Sequence, residues 1–389
     1  MWKKSVRRAF EKNRNDLFGL LFCQYPPFVL SNREQETDIP AFVFHDVTAE
    51  TLEPMLEFLA DNNYVTLTAD EYVERKIRGQ RDREHEVLLT FDDGYKSLYA
   101  VAYPALKRYG LKAVAYIVPG MIPEGDAEQK LELLEQSLCN WREIQKMHES
   151  GVLDIQSHSM YHHSVAISNR LIDFVRPRLK CSFLESDLSP LTCPGRGDQS
   201  LKPALGTPIY DWGARCGAAP AFHENPSVAA TCCQYVEKHG GPLFFETRNW
   251  RRCLKGIWEA SRKGEASGRL EDANEQRLAI LKDFLDSKND IERRLPGKIV
   301  RHFCFPWFRG APLSMRLSNE AGYVSNAWAS LLPTFVRKSC VSMPIPIARL
   351  SPHYLWRLPG KGRKSTKAVL LERFFQVYKK APVETGFVG

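Results

Sequence analysis

The chain has 389 residues, of which 43% are hydrophobic and 26% are charged, and its formal net charge is +8. These proportions are those of a folded globular protein, and no run approaches the roughly 20 apolar residues that a membrane-spanning helix needs. Ten scattered cysteines without a CxxC spacing favour reduced thiols over a disulfide framework, so we expect a cytoplasmic protein.

From Ile39 onward the sequence alternates between strand patterns and helix patterns. The strand patterns are short apolar runs, at 41–44, 65–67, 86–91, 112–118, 153–156, 300–305 and 323–327. The helix patterns have apolar residues three and four apart, at 52–59, 98–106, 141–150, 278–294 and 314–321. Strands that alternate with helices in this way are typical of parallel β/α units.

The regular pattern is lost between about residues 165 and 269, a region rich in proline, glycine and cysteine. It resumes with the helix pattern at 278–294 and the strand pattern at 300–305. The sequence therefore predicts one barrel that is interrupted by a long insertion. A long polar insertion at the mouth of a barrel is typical of a lid or a specificity element.

Three segments rich in chemically active side chains follow three of the predicted strands. They are 90–94 (TFDDG), 158–163 (HSMYHH) and 303–307 (FCFPW). In a β/α barrel the carboxyl ends of the strands face one common surface, where active sites are built. We therefore expect the three segments to lie close together.

The residue types in these segments have an ordinary and a functional interpretation. Asp92 or Asp93 could cap a helix that begins near Tyr95. His158 and His162 could belong to a solvated loop, or could face one metal ion because they are four residues apart. One carboxylate and two imidazoles leave positions open on a metal, which is the pattern of a catalytic site.

These motifs resemble those of the NodB-homology polysaccharide deacetylases, carbohydrate esterase family 4, over residues 38–165 and 275–330. The resemblance implies a distorted (β/α)7 barrel of NodB type, with the long insertion between the second and third motifs. On this basis we assign the chain as follows: a basic N-terminal segment at 1–37, the barrel at 38–165 and 270–356, the insertion at 166–269 and a basic C-terminal tail at 357–389.

The resemblance also implies roles for individual residues. Asp93, His158 and His162 resemble the metal ligands, and Asp92 resembles the general base that takes a proton from the attacking water. A backbone N–H near Trp307 would stabilise the oxyanion. The Asp/His₂ set favours Zn²⁺, although Co²⁺, Ni²⁺ or Fe²⁺ suit similar ligands.

The sequence departs from the family pattern at two positions. Cys304 stands where many relatives carry an arginine that orients the base, and either Arg301 or Arg309 could replace that arginine. The late Leu-x-His motif, whose histidine is the catalytic acid, has no clear match. His353 is the nearest candidate for this proton donor.

The predicted function is hydrolysis of an N-acyl amide, most simply N-acetyl, on an amino sugar of a polysaccharide or a lipid-linked glycan precursor. A hydrolase of a small non-peptide amide or formyl group is an alternative on the same fold. A catalytically inactive glycan-binding protein is a third. Four aromatic residues could form a wall that stacks on sugar rings or could be ordinary core residues: Tyr95, Tyr161, Trp212 and Trp307.

Positive charge is concentrated at the two ends of the chain. Residues 1–14 carry a net charge of +5 and residues 357–380 carry +7, so the middle is slightly acidic and does not suggest a nucleic-acid partner. The apolar run at 17–23 lacks a small-x-small cleavage site, so no secretory signal is expected. Apolar stripes beside the basic residues predict either peripheral contact with the inner face of an anionic membrane or packing on the barrel.

Overall fold

The structure, a computed structural model, describes residues 25–30, 39–124, 138–177, 203–262, 268–337 and 344–379. Contacts divide the chain into two compact units, which are residues 1–116, 137–155 and 327–389, and residues 117–136 and 156–326. Most of the basic N-terminal segment and the last ten residues lie outside the described residues, so membrane contact stays a prediction. No helix in the described ranges is long and apolar enough to cross a bilayer.

Eight strands form the main sheet. They are β1 (Ala41–Phe44), β2 (Val65–Thr66), β3 (Glu86–Asp93), β4 (Ala113–Ile117), β5 (Leu153–Ser157), β10 (His302–Cys304), β11 (Ser325–Ala329) and β12 (Ile345–Arg349). Their order is β1-β3-β4-β5-β10-β11-β12, with β2 paired to β3. Leu350, directly after β12, pairs in parallel with Phe42 of β1, so the strand order returns to its start. The result is a nearly closed barrel of parallel strands with helices, which confirms the predicted fold class.

The first unit contains the α-helices that connect the early strands and three further helices near the ends of the chain. They are α1 (Pro27–Leu30), α2 (Ala49–Asp61), α3 (Ala69–Arg78), α4 (Tyr103–Arg108), α5 (Trp141–Glu149), α10 (Thr334–Arg337) and α11 (Thr366–Lys379). Capping side chains define where two of them begin: Thr68 accepts the backbone N–H of Glu71 at α3, and Asn140 accepts that of Glu143 at α5. A π-helix at Leu98–Ala102 precedes α4, and a 3₁₀ helix at Pro352–Arg357 follows β12.

The second unit contains α8 (Ala273–Arg294) and α9 (Pro312–Glu320), and it also contains the insertion. The insertion has regular structure where the sequence showed no pattern. Its elements are β6 (Ser164–Phe174), β7 (Pro208–Ala214), β8 (Phe222–His223), α6 (Pro226–Lys238), α7 (Trp250–Ser261) and β9 (Arg269–Leu270). β6 pairs antiparallel with β7, and β8 pairs antiparallel with β9.

The insertion has a hydrophobic core of its own, consisting of Phe174, Tyr210, Phe222, Val228, Cys232, Val236, Phe244, Leu254 and Trp258. A buried ion pair connects the β6–β7 hairpin to the end of the insertion. The Arg215 guanidinium, just after β7, donates to both carboxylate oxygens of Glu271 at 2.7 and 3.0 Å. Because Glu271 directly precedes α8, this pair joins the hairpin to the point where the chain leaves the insertion.

Candidate active site

The two adjacent aspartates lie at the carboxyl end of β3, where a fully buried strand turns sharply. Alternation along the strand places Thr90 and Asp92 on the same face. Asp93 breaks this alternation because its φ is 72°, a left-handed conformation that is uncommon for a residue with a side chain. The Gly94 N–H donates to the Asp92 carbonyl at 3.0 Å and closes the turn. Both aspartates are buried, so their negative charge requires a partner.

Asp92 receives its partner from β12. The Arg349 guanidinium donates to both carboxylate oxygens, at 2.6 and 2.8 Å, and also to the Thr90 hydroxyl oxygen at 2.9 Å. The arginine side chain is 0% exposed and that of Asp92 is 1% exposed, so the pair is shielded from water. A bidentate pair of this kind fixes the orientation of the carboxylate.

Sequence reasoning missed Arg349. The expectation that Arg301 or Arg309 would replace the missing arginine was wrong, because both of these side chains are exposed. The signal that could have found Arg349 is its spacing from Ile347, since two residues along a strand share a face and both are buried. A charged residue in phase with a buried apolar residue indicates a paired charge inside the protein.

His158 follows directly after β5 and is held through both its backbone and its ring. Its N–H donates to the Ile117 carbonyl at 2.8 Å, and its Nδ1 lies 2.9 Å from the Cys304 carbonyl oxygen. A carbonyl can only accept, so Nδ1 carries the proton and Nε2 keeps its lone pair. This is the usual way in which a metal-binding histidine is fixed in one tautomer.

His162 lies in a short loop with an unusual backbone. Its φ is 48° and that of Ser159 is 68°, and the His162 N–H donates to the Ser159 hydroxyl at 2.8 Å. Left-handed conformations of residues other than glycine cost on the order of 1–3 kcal/mol each and are concentrated at functional sites. The loop therefore has a fixed shape that brings the rings of His158 and His162 to a centroid distance of 4.8 Å.

Two contacts within the second unit support this loop at Met160. The Gly120 N–H donates to the Met160 carbonyl at 2.9 Å. The carboxylate of Asp283, on α8, accepts the Met160 N–H. Burial raises the pKa of Asp283 to about 7, while that hydrogen bond acts in the opposite direction. Both hydrogen-bonding groups of one loop residue are thus held by elements outside the loop.

Each of the two units contributes candidate metal ligands among its described residues. In the second unit, the rings of His158 and His162 lie side by side, and His158 presents Nε2. In the first unit, Asp93 is the better carboxylate candidate, because both Asp92 oxygens already accept hydrogen bonds from Arg349. Two imidazoles and one carboxylate match the donor set of a catalytic zinc site.

The third motif forms a tight turn after β10. Trp307 and Phe308 have φ values of 50° and 56°, so two successive bulky residues are left-handed. The Phe308 and Arg309 N–H groups donate to the Phe305 and Pro306 carbonyls at 2.9 Å. The Trp307 N–H is the remaining candidate in this turn for the predicted oxyanion donor.

Aromatic rings extend from the second motif through the third. The Trp307 ring lies 4.4 Å from that of His162, and the Trp212 ring of the insertion lies 6.3 Å from that of Trp307. Both tryptophans are partly exposed, whereas Tyr95 is buried. Of the four residues predicted as a possible sugar-stacking wall, Trp212 and Trp307 therefore form a ring pair.

His353 lies at the start of the 3₁₀ helix after β12 and is partly buried. Its Nδ1 lies 3.1 Å from the Ser351 hydroxyl oxygen, so one ring nitrogen is already engaged. The carboxyl ends of parallel strands share one rim of a barrel, and His353 follows such an end. Its role as the catalytic acid stays a prediction.

Comparison with known proteins finds a family model that matches part of the chain. The family model for polysaccharide deacetylases matches residues 79–178, which include both aspartates and both histidines of the site. This segment of the chain is therefore similar to the polysaccharide deacetylases, the family whose motifs the sequence resembles. The match covers the first two motifs and the strands that carry them.

Two relatives align with about a third of the chain. The chain is 30% identical over 137 residues to YxkH of Bacillus subtilis, a candidate polysaccharide deacetylase, and the alignment covers 33% of this chain and 45% of that protein. It is 24% identical over 126 residues to the poly-beta-1,6-N-acetyl-D-glucosamine N-deacetylase of Staphylococcus aureus, covering 32% of this chain and 41% of that enzyme. The chain thus spans less than half the length of these relatives.

A solved structure shows that the fold is shared. The deacetylase domain of BpsB from Bordetella bronchiseptica matches with a TM-score of 0.50 at 15% identity, over 82% of this chain and 97% of that domain. The similarity extends well beyond the segment that the family model matches. It supports a barrel as the fold of the chain.

Proposed function

We propose that this polysaccharide deacetylase homologue hydrolyses the N-acetyl amide of an amino sugar in a polysaccharide or a lipid-linked glycan precursor, with the help of a bound divalent metal ion. One observation carries the proposal. The imidazoles of His158 and His162 lie side by side, with His158 held in the tautomer that presents Nε2, and the Asp92 carboxylate is oriented by a buried arginine. The S. aureus relative, which by its name removes N-acetyl groups from a glycan, supports the choice of substrate class.

The side chains present fit a divalent metal ion of the zinc type. His158 presents Nε2 because its Nδ1 is hydrogen-bonded to a carbonyl. His162 and Asp93 are the other two ligands of the proposed set, which is a typical zinc donor set. When bound, such an ion polarises the amide carbonyl and lowers the pKa of water from 15.7 to about 7. Zn²⁺ is the preferred ion, and Co²⁺, Ni²⁺ and Fe²⁺ suit the same ligands.

The residues of the chain supply the remaining chemistry. Asp92, held by Arg349 on both of its oxygens, is the general base that accepts a proton from the attacking water. The Trp307 N–H donates to the oxyanion that develops on the amide oxygen, a contribution typically of about 3–4 kcal/mol. His353 is the proposed donor of the proton that the departing amine needs. The products are the free amino sugar and acetate.

The direct test is release of acetate or formate from a panel of N-acylated saccharides and small amides, with and without a chelator. We expect chelator-sensitive acetate release from N-acetylated saccharides. Preference for a small amide or a formyl group would support the alternative hydrolase, and binding without turnover would support a glycan-binding protein. Asp92→Asn is expected to keep the metal and to lose about 10²–10⁴-fold in kcat. Near-normal turnover of this variant would exclude the general-base role.

The metal assignment has a separate test that does not depend on turnover. Elemental analysis of the purified protein should find one divalent ion per chain, and a His158→Ala/His162→Ala variant should lose it. His239→Ala is the matched control, because this histidine is exposed at the end of α6. Equal metal content in the wild type and the double variant would show that the ligands are wrong.

A further inference from the structure

The insertion begins at the metal-ligand loop and returns to it. β6 starts at Ser164, two residues after His162, and its partner β7 ends at Ala214. The register pairs Ser164 with Ala214 and Ala166 with Trp212. Trp212 therefore lies at the end of the hairpin that is nearest to the loop, on a strand whose position is fixed by a hydrogen-bonded partner.

The same strand is anchored in the core of the insertion. Alternation along β7 puts Tyr210 and Trp212 on one face. The Tyr210 ring is buried in the core, its hydroxyl accepts the Trp258 indole N–H at 2.8 Å, and the same hydroxyl donates to the Glu224 carboxylate. A shift of β7 would break the buried hydrogen bonds of the Tyr210 hydroxyl. Trp212 lies two residues further along the same strand, so these bonds hold its position as well.

Trp212 is not used for packing the insertion. Among the described residues, it belongs neither to the buried core cluster nor to the partly buried residues that pack against that cluster. Its ring instead lies beside Trp307, with 6.3 Å between the centroids and a 50° angle between the planes. Trp307 in turn contacts the ring of His162 at 4.4 Å. The insertion thus places a partly exposed indole next to the third motif.

We propose that Trp212 and Trp307 form an aromatic subsite that binds a second sugar ring of the glycan, next to the sugar that is deacetylated. The proposal rests on the proposed function and narrows it to substrates with at least two linked sugars. A pyranose ring presents a flat face of C–H groups, and a partly exposed indole offers a large, rigid apolar surface for such a face. The subsite makes the insertion a specificity element, as its position between the second and third motifs predicts.

The test compares a substrate that can reach the subsite with one that cannot. The long substrates are tetramers of N-acetylglucosamine, one β-1,4-linked and one β-1,6-linked, and the short one is 4-nitrophenyl acetate. Trp212→Ala is expected to raise the KM for a tetramer about tenfold, which corresponds to about 1.4 kcal/mol. Its kcat for the tetramer and its activity on the short ester should stay within about twofold of wild type. Trp212→Phe should recover most of the loss.

Trp250→Leu is the matched control. Trp250 is another partly buried tryptophan of the insertion, and it packs on the insertion core rather than beside Trp307. A structural role for Trp212 would lower activity on the tetramer and on the short ester alike, as general damage to the insertion would. An equal loss of activity on the tetramer and on the short ester in Trp212→Ala would overturn the proposed subsite. An unchanged KM for both tetramers would also overturn it.

A binding measurement separates this proposal from the proposed function. Calorimetric titration of the tetramers into Asp92→Asn, with and without Trp212→Ala, needs no turnover. We expect the second substitution to weaken tetramer binding about tenfold and to leave binding of monomeric N-acetylglucosamine unchanged. Binding that depends on Trp212 in a protein without deacetylase activity would keep the subsite and reject the proposed reaction. If neither tetramer binds, or if binding ignores Trp212, the subsite is rejected.

Discussion

The ion pair between Arg349 and Asp92 is the most informative target for mutation. Arg349→Lys keeps the positive charge but replaces a planar fork with a single ammonium group, so only one carboxylate oxygen keeps a close donor. A hydrogen bond to a charged group contributes about 1.5–3 kcal/mol. Loss of one of the two bonds, at 2.6 and 2.8 Å, should therefore lower kcat/KM by about 10- to 100-fold. Arg349→Met leaves a buried carboxylate without its partner and should cost about 3–5 kcal/mol of unfolding free energy.

The assay measures acetate release and urea unfolding on the same preparations. Arg75→Met is the control, since Arg75 pairs with the buried Glu86 at the opposite end of β3. It should lower stability and leave the kcat/KM of the folded enzyme unchanged. Adding Asp92→Asn to Arg349→Met should restore part of the stability and none of the activity. If Arg349→Lys retains wild-type kcat/KM, the arginine does not orient the base and serves stability only.

Three further predictions concern the surroundings of the site. Because the pKa of Asp283 is raised to about 7, the folded protein keeps a proton that the unfolded chain releases above about pH 4. The free energy of unfolding should therefore decrease as the pH rises from about 4 through 7. Asp283→Asn should flatten this dependence, and equal slopes of urea midpoint between pH 5 and 8 in both proteins would contradict it. Gly120→Ala would place a Cβ 2.6 Å from the Met160 carbonyl oxygen, which is too close for two such atoms. Both the urea unfolding midpoint and the metal content should therefore fall. Unchanged values would show that the loop adapts. His353→Gln should lower kcat about 10²-fold with normal metal content, and an unchanged kcat would exclude His353 as the acid.

The sequence predicted those features of the fold and the site that depend only on residues close together in the chain. Alternating strand and helix patterns predicted the barrel, because each of these strands and helices has a regular spacing of apolar residues within its own sequence. The second and third motifs predicted that His158, His162 and Trp307 lie together, since parallel strands share one rim. Both kinds of inference need only neighbouring residues. The family resemblance added the separate roles of Asp92 and Asp93, which remain to be tested by mutation.

Other features depended on distant residues and were missed. β12 is short and contains Pro346, so no strand was predicted there and Arg349 was not recognised. No pattern in the sequence around Arg349 indicates that this arginine pairs with a carboxylate more than 250 positions earlier. The helix α6 was missed because its buried stripe, which comprises Val228, Cys232 and Val236, is one residue wide. A stripe this narrow becomes stable only when a second helix covers it.

The backbone of the site was also beyond prediction from sequence. Asp93, His162, Trp307 and Phe308 all adopt left-handed conformations that residues with side chains seldom occupy. Local preference points away from these conformations, so tertiary contacts must impose them. Such conflicts between local and global structure are expected where function is concentrated.

The buried pair between Arg215 and Glu271 has an evolutionary consequence. It ties together two points of the chain that are separated by more than fifty residues, so the segment between them forms a closed excursion that contributes seven of the nine residues of the insertion core. The entropy cost of a closed loop grows only slowly with its length, about 0.6 kcal/mol for each doubling. Related enzymes could therefore lengthen, shorten or exchange this excursion and acquire new substrate preferences while the catalytic strands remain unchanged.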